Sequence, residues 1–268
     1  MKELLSDEFA SRLQSLAAEK AAEYQSNTPF PHIYFDNFLP VEAAEAALRD
    51  FPEPKELQWN EFSNTHEKKL AFDAVEKLPA GDRDVLYFLN SRPMLQFLEV
   101  LTGIKGVISD PYFVGGGLHQ IKPGGKLGIH VDFNRHDGLN LDRRINVLIY
   151  LNKNWDEEWG GHFEICNKER TEVRKILPLF NRCAIFSTTS SSFHGHPNPL
   201  ECPEDRTRKS IATYYYTNGR PEEEITAAHS TVFMDNTGKI VKEKKPLREL
   251  VRSFVPPILM DALKSIRK

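Results

Sequence analysis

From residue 112 to 217 the chain runs in short stretches that alternate apolar and polar residues, the period-two pattern of half-buried strands. These stretches fall at 117–122, 127–133, 144–151, 162–166, 172–177, 182–187, 192–196 and 208–217, with turn residues between them. Short strands at this spacing predict a sandwich or barrel. No helix-length pattern interrupts them, which argues against a parallel β-α-β architecture. The opening segment has the helical period instead: Leu5, Phe9, Leu13 and Leu16 share a face, and Asn27-Thr28-Pro29 closes it. A short strand is expected over 32–39, then an alanine-rich helix to about Asp50, with Pro40 placed where a first helical residue tolerates proline. Residues 52–82 are polar and read as irregular. Two helices follow near 83–90 and 92–101, the second stopped by Gly103. After a turn at Asp235-Asn236-Thr237-Gly238, the stretch 239–268 holds nine Lys or Arg against three Asp or Glu. Leu247, Leu250, Val251 and Phe254 stripe its first helix, and Pro256-Pro257 separates a second. These basic amphipathic helices are expected to pack on the barrel or on a second copy of the chain, giving a homodimer, and not to bind membrane.

Composition adds few constraints. At 268 residues, 40% hydrophobic and 27% charged, with net charge −3, the chain is an ordinary globular protein with no nucleic-acid-binding charge excess. Cys166, Cys183 and Cys202 are scattered and odd in number, which predicts reduced thiols in a cytoplasmic protein. The N-terminus shows no signal peptide, and no stretch reaches the roughly 20 apolar residues of a bilayer span.

The candidate chemistry starts at "GIHVDFN", residues 128–134. In a strand, His130 and Asp132 project from one face while Ile129 and Val131 project from the other. A histidine and a carboxylate side by side can hold a metal, and two histidines with one carboxylate form the facial triad of non-haem iron sites. The third ligand is open between His162, His194 and His196. His162 also belongs to a rival pair, His162 with Glu164, in a stretch that otherwise reads as an ordinary strand. In "RTRKSIATYYYT" the residues Arg208, Ser210, Ala212 and Tyr214 share a face. An arginine two residues from a serine on one wall is a carboxylate receptor, because the guanidinium fork engages both oxygens. Tyr150, ending "RRINVLIYL", can add a phenol to the same carboxylate.

The stretches "KPGGKLGIHVDFN", "RRINVLIYLNKNWDEEWGGHFEI", "NRCAIFSTTSSSFHGHP" and "RKSIATYYYT", in this order over roughly 110–217, resemble the Fe(II)/2-oxoglutarate-dependent oxygenases, in their prolyl 4-hydroxylase-like branch. The resemblance implies a mainly β fold with flanking helices around a double-stranded β-helix (jelly-roll, cupin-like) core. It implies one oxygenase domain over 1–268, with N-terminal helical support (1–110), a catalytic core (111–217) and a C-terminal helical extension (218–268). It makes His130, Asp132 and His194 the Fe(II) ligands, and Arg208, assisted by Tyr150 and Ser210, the partner of the distal carboxylate of 2-oxoglutarate. The implied reaction takes O₂, with ascorbate as reductant, and hydroxylates a C–H bond while 2-oxoglutarate becomes succinate and CO₂. Asp132 favours hydroxylation over halogenation, since related halogenases carry a small residue there. The segment from His194 to Arg208 is longer than the family's usual spacing, which keeps Lys209 as an alternative carboxylate partner. Arg135, His136, Arg143 and Arg144 on the barrel lip suggest a polar or anionic substrate, either a small molecule or biosynthetic intermediate or a peptidyl proline. The competing class is a jelly-roll module that binds metal without turnover.

Overall fold

The computed structural model describes residues 2–235 and 239–241. In chain order its elements are α1 (Asp7–Ser26), β1 (His32–Phe35), α2 (Val41–Asp50), β2 (Asn60–Ser63), β3 (Glu67–Phe72), α3 (Ala80–Leu89), α4 (Arg92–Thr102), β4 (Ile108–Ser109), β5 (Gly117–Ile121), β6 (Lys126–Val131), β7 (Arg135–His136), β8 (Leu141–Tyr150), β9 (Phe163–Cys166), β10 (Val173–Ile176), β11 (Arg182–Ser187), β12 (Phe193–His196), β13 (Arg208–Thr217) and β14 (Val232–Phe233). The eight strands expected between 112 and 217 are all present, each within a few residues of its predicted span. The basic helices expected beyond 241 lie outside the described residues.

All the strands join one antiparallel sheet of order β1-β11-β8-β13-β5-β3-β6-β12-β9-β10, curled so that its two halves face each other across a cavity. β3 is the hinge between the halves: Leu70–Phe72 pair with β5, while Glu67 and Lys68 pair with β6. β3 and its hairpin with β2 replace the irregular structure expected over 52–82. The reason for the difference is visible in β2, which is exposed along its whole length and offers no apolar alternation.

Strand alternation divides β8 cleanly. Ile145, Val147 and Ile149 join Ile211 of β13 in the main core with Phe9 and Leu13 of α1 and Phe97 of α4. The helices therefore cover the outer face of β8 and β13, and that burial fixes which side chains face inward. Leu148 and Tyr150 pack inside the barrel with Phe163, Ala184 and Phe186. α1 begins only at Asp7, capped by the Ser6 hydroxyl accepting from the Phe9 amide; Leu5, expected on the helix face, precedes it and is exposed. Gly103, in the left-handed conformation, ends α4 as expected. All three cysteines are free and buried. Among the described residues no helix is long and apolar enough to cross a membrane.

Candidate functional site

The register of two strands assembles the centre of the site. His194 of β12 lies directly opposite His130 of β6, and Asp132 follows just past the end of β6. One ligand atom from each of these three side chains falls within 4.8 Å of the others, the only such group among the described residues. Each imidazole is oriented by its own backbone: His130 Nδ1 donates to the Gly128 carbonyl (2.8 Å) and His194 Nδ1 to the Ser192 carbonyl (2.9 Å). Both Nε2 atoms are thereby turned toward Asp132, at 3.5 Å and 3.3 Å from its two oxygens. A carbonyl on the far nitrogen is the usual way a metal-ligating histidine is fixed in its tautomer. Burial, then the neighbouring His194, lowers the His130 imidazole below its ordinary value, so it is neutral. Burial alone would raise the Asp132 carboxyl, but Arg143 first, then His194 and His130, outweigh it and hold it well below the usual range. Two imidazole nitrogens with an ionised carboxylate are the donor set that suits Fe(II).

Arg143 and Asn146, both on β8, back the carboxylate. Asp132 Oδ2 accepts from Arg143 Nη2 (2.9 Å) and from Asn146 Nδ2 (2.8 Å), while Arg143 Nε donates to Asn146 Oδ1 (2.9 Å). Phe133 and Tyr214 sandwich the guanidinium, with the Tyr214 ring centroid at 3.5 Å. The lip arginines are thus not a substrate-facing set. Arg143 is committed to Asp132, and Arg144 pairs with Glu224 (3.3 Å). His136 is buried against Asp110. Arg135 alone of the four is exposed at the mouth. The sequence contained this triangle as Arg143 and Asn146 three apart, but nothing in it tied them to Asp132.

Behind the triad, a chamber of about 80 Å³ receives Arg208 and Ser210 from β13, Tyr150 from β8 and His196 from β12. Ser210 stands directly across the ladder from Tyr150. Arg208 is 5% exposed; its Nε donates to the Gly161 carbonyl (2.8 Å), and its guanidinium carbon lies 4.8 Å from the Tyr150 ring centroid. Gly161 must be glycine: its φ is +72°, and a Cβ there would strike Leu200 at 2.7 Å and the Arg208 side chain at 3.1 Å. Lys209 points away from the chamber, toward Glu53 (3.2 Å) and the outer surface. His162 faces Glu157 (3.4 Å) instead of the triad. His196 enters the chamber but is not one of the clustered ligands.

Outward from the triad the cavity opens through a space of about 310 Å³ lined by Asn60, Phe62, Lys69, His119 and Phe233. It continues into a groove of about 970 Å³ past Tyr112, Arg135 and His229. Two elements that the residue pattern does not predict build this mouth. The β2–β3 hairpin supplies Lys69, paired with Glu67 at 3.1 Å. β14 pairs with β6 and sets Phe233 beside His130, with ring centroids 5.4 Å apart, and against His66 at 5.0 Å. The Asn134 side chain ties the incoming segment down, donating to the Ala227 carbonyl (2.9 Å) and accepting from the His229 amide (2.9 Å).

Residues 116–216 match the family model of the 2OG-Fe(II) oxygenase superfamily. Solved structures share the fold. A prolyl hydroxylase from Trichoplax adhaerens, in complex with a hypoxia inducible factor oxygen degradation domain peptide fragment, is 17% identical, with a TM-score of 0.54 over 80% of this chain and 96% of that one. A Pseudomonas putida prolyl-4-hydroxylase is 16% identical, with a TM-score of 0.53 over 75% of this chain and 99% of its own. HygX from Streptomyces hygroscopicus, with nickel, 2-oxoglutarate and hygromycin B bound, is 9% identical, with a TM-score of 0.52 over 79% of this chain and 95% of its own. A search of curated proteins returns no match.

Proposed function

We propose that this chain, a 2OG-Fe(II) oxygenase over residues 116–216, hydroxylates a polar substrate, holding iron through His130, Asp132 and His194. The observation that carries this reading is the pairing of His130 with His194 across β6 and β12, with the ionised Asp132 between them. In such sites bound iron supplies the oxidation of a C–H bond by O₂, coupled to decarboxylation of 2-oxoglutarate. The protein's own residues do the rest. Gly128 and Ser192 carbonyls fix the two imidazoles, while Arg143 and Asn146 keep Asp132 ionised and aimed. Arg208, with Tyr150 and Ser210, forms the receptor for the distal carboxylate of 2-oxoglutarate; a guanidinium in a small buried chamber is otherwise a costly feature.

The mouth carries both signs of charge, Lys69 and Arg135 with Glu67 and Asp73, beside the aromatic rings of Tyr112, Phe133 and Phe233. That mixture suits an extended polar molecule, a peptide segment or a functionalised small molecule. The peptide bound to the Trichoplax enzyme and the hygromycin B bound to HygX represent both types. Three reduced, buried cysteines fit a reducing, cytoplasmic setting.

The test is to incubate the purified protein with Fe(II), 2-oxoglutarate, ascorbate and O₂ and measure succinate, then to screen prolyl peptides and polar metabolites for a product one oxygen heavier. Succinate above the metal-free control is expected, rising with a true substrate. No succinate, together with no binding of 2-oxoglutarate to the iron-loaded protein, would leave a metal-binding module without turnover.

A further inference from the structure

We propose that His196 is a positioning residue for the co-substrate, completing with Arg208, Tyr150 and Ser210 the cradle for the distal carboxylate of a 2-oxoacid. The inference rests on the proposed function, since it assigns a role within the chamber behind the triad.

Three observations support it. First, the His196 ring is 3% exposed and neither of its nitrogens has a hydrogen-bond partner in the protein. Buried polar atoms are nearly always paired, and a lone one needs an explanation. Second, its loneliness is shared by its neighbours. The Tyr150 hydroxyl, buried in the same chamber beside Arg208, has no well-directed hydrogen bond either, and Arg208 is anchored there through Nε on the Gly161 carbonyl. Unpaired groups converging on one small cavity describe a site built for a ligand that can accept several hydrogen bonds, as a carboxylate does. Third, the strand is shaped to deliver this ring. His194 pairs with His130 while His196 pairs with Leu127, so the register slips by one residue between them. Gly195 allows the close approach, since a Cβ there would lie 2.6 Å from the Gly128 carbonyl oxygen. His194 and His196, two apart and so on one face of β12, both reach the interior, one at the triad and one behind it.

The experiment titrates anaerobic Fe(II)-loaded protein with two ligands, 2-oxoglutarate and 2-oxopentanoate, following the visible charge-transfer band. The second ligand keeps the chelating end and carries a methyl group in place of the distal carboxylate. His196→Leu should retain its iron and weaken 2-oxoglutarate about ten- to a hundredfold, the loss of one hydrogen bond to a charged group. The same variant should bind 2-oxopentanoate as the parent protein does. His196→Gln, which retains an N–H donor, should recover most of the lost affinity. His196→Asn, too short to reach, carries the leucine expectation should that variant not fold. Equal weakening of both ligands would reduce His196 to packing, unchanged 2-oxoglutarate affinity would remove it from the cradle, and loss of iron would make it a ligand; each overturns the proposal. Absence of a charge-transfer band in the parent protein would overturn the underlying functional reading instead.

Discussion

Asp132 Oδ2 accepts hydrogen bonds from two β8 side chains at once, which leaves the carboxylate one orientation in which Oδ1 faces the His130 Nε2. Arg143 does this at 1% exposure, clamped between two aromatic rings and bonded to Asn146 as well. Such outer partners of a metal ligand commonly contribute 10–100-fold to affinity. Arg143→Ala is therefore expected to weaken Fe(II) binding by about that factor, through a carboxylate that is no longer aimed or held ionised. Arg143→Lys should fall between, because a point charge cannot serve Asp132 and Asn146 through a planar fork. Calorimetric titration with Fe(II) or a Co(II) substitute under nitrogen measures this directly. Unchanged metal affinity with a raised substrate KM would return Arg143 to the substrate-facing role that the sequence alone suggested.

At the scale of strands, the decisive quantity is register. Moving β13 by one residue would exchange Arg208 with Lys209 and invert every contact of the chamber. The ladder is fixed on both sides, Ser210 opposite Tyr150 in β8 and opposite His119 in β5, while the Asn152 side chain bonds both the amide and carbonyl of Lys209. Arg208→Ala should accordingly weaken 2-oxoglutarate by roughly two to three orders of magnitude, the cost of leaving a buried anionic partner unpaired. Lys209→Ala, which removes contacts with Glu53 and Phe51 outside the chamber, should leave that affinity unchanged. Charge-transfer titration of both variants decides it, and the reverse outcome would mean that the chamber is lined by the other face of β13. This face was legible in advance because Ile211 and the alternating aliphatic residues of β8 must meet the helices, which assigns the remaining positions inward. Alternation also puts His130 and Asp132 on one face, but it leaves the third ligand open between His162, His194 and His196, and only the family resemblance singles out His194. The strand argument sets Asp132 beside His130, and the two side chains do lie 3.5 Å apart although Asp132 is beyond the strand's end. The β2–β3 hairpin was not legible. Its exposed strand has no apolar period, and its value lies in reaching β5 and β6, partners distant in sequence. The same holds for Phe233, in the apolar triplet Val232-Phe233-Met234, too short to show a period, whose burial depends on the edge of β6.

At the largest scale, among the described residues the four helices pack on one half of the sheet and the mouth opens on the other, so stability and chemistry are carried on opposite sides. The helical side contains a polar group the chemistry does not use. Asp82 of α3 is fully buried, and neither carboxyl oxygen has a hydrogen-bond partner in the protein. Burial, with Asp50 adding repulsion and Lys209 opposing only in part, pushes its carboxyl up to about 8. An aspartate in the unfolded chain titrates near 3.9. Between these values the unfolded state has released a proton that the folded state retains, so the contribution of Asp82 is most favourable below about pH 4 and is lost progressively as the pH rises to about 8. At about 1.4 kcal/mol per unit, the accumulated penalty is of order 1 kcal/mol at pH 5 and several kcal/mol at pH 8. Asp82→Asn keeps the shape and removes the titration. The variant should therefore gain thermal stability over the parent protein at pH 8 and gain much less at pH 5, with other titrating groups cancelling in the comparison. Melting curves of the two proteins across that range measure the difference. A gain that does not change with pH would show that the Asp82 carboxyl ionises in the folded protein near its ordinary value, its charge met by water or by Lys209.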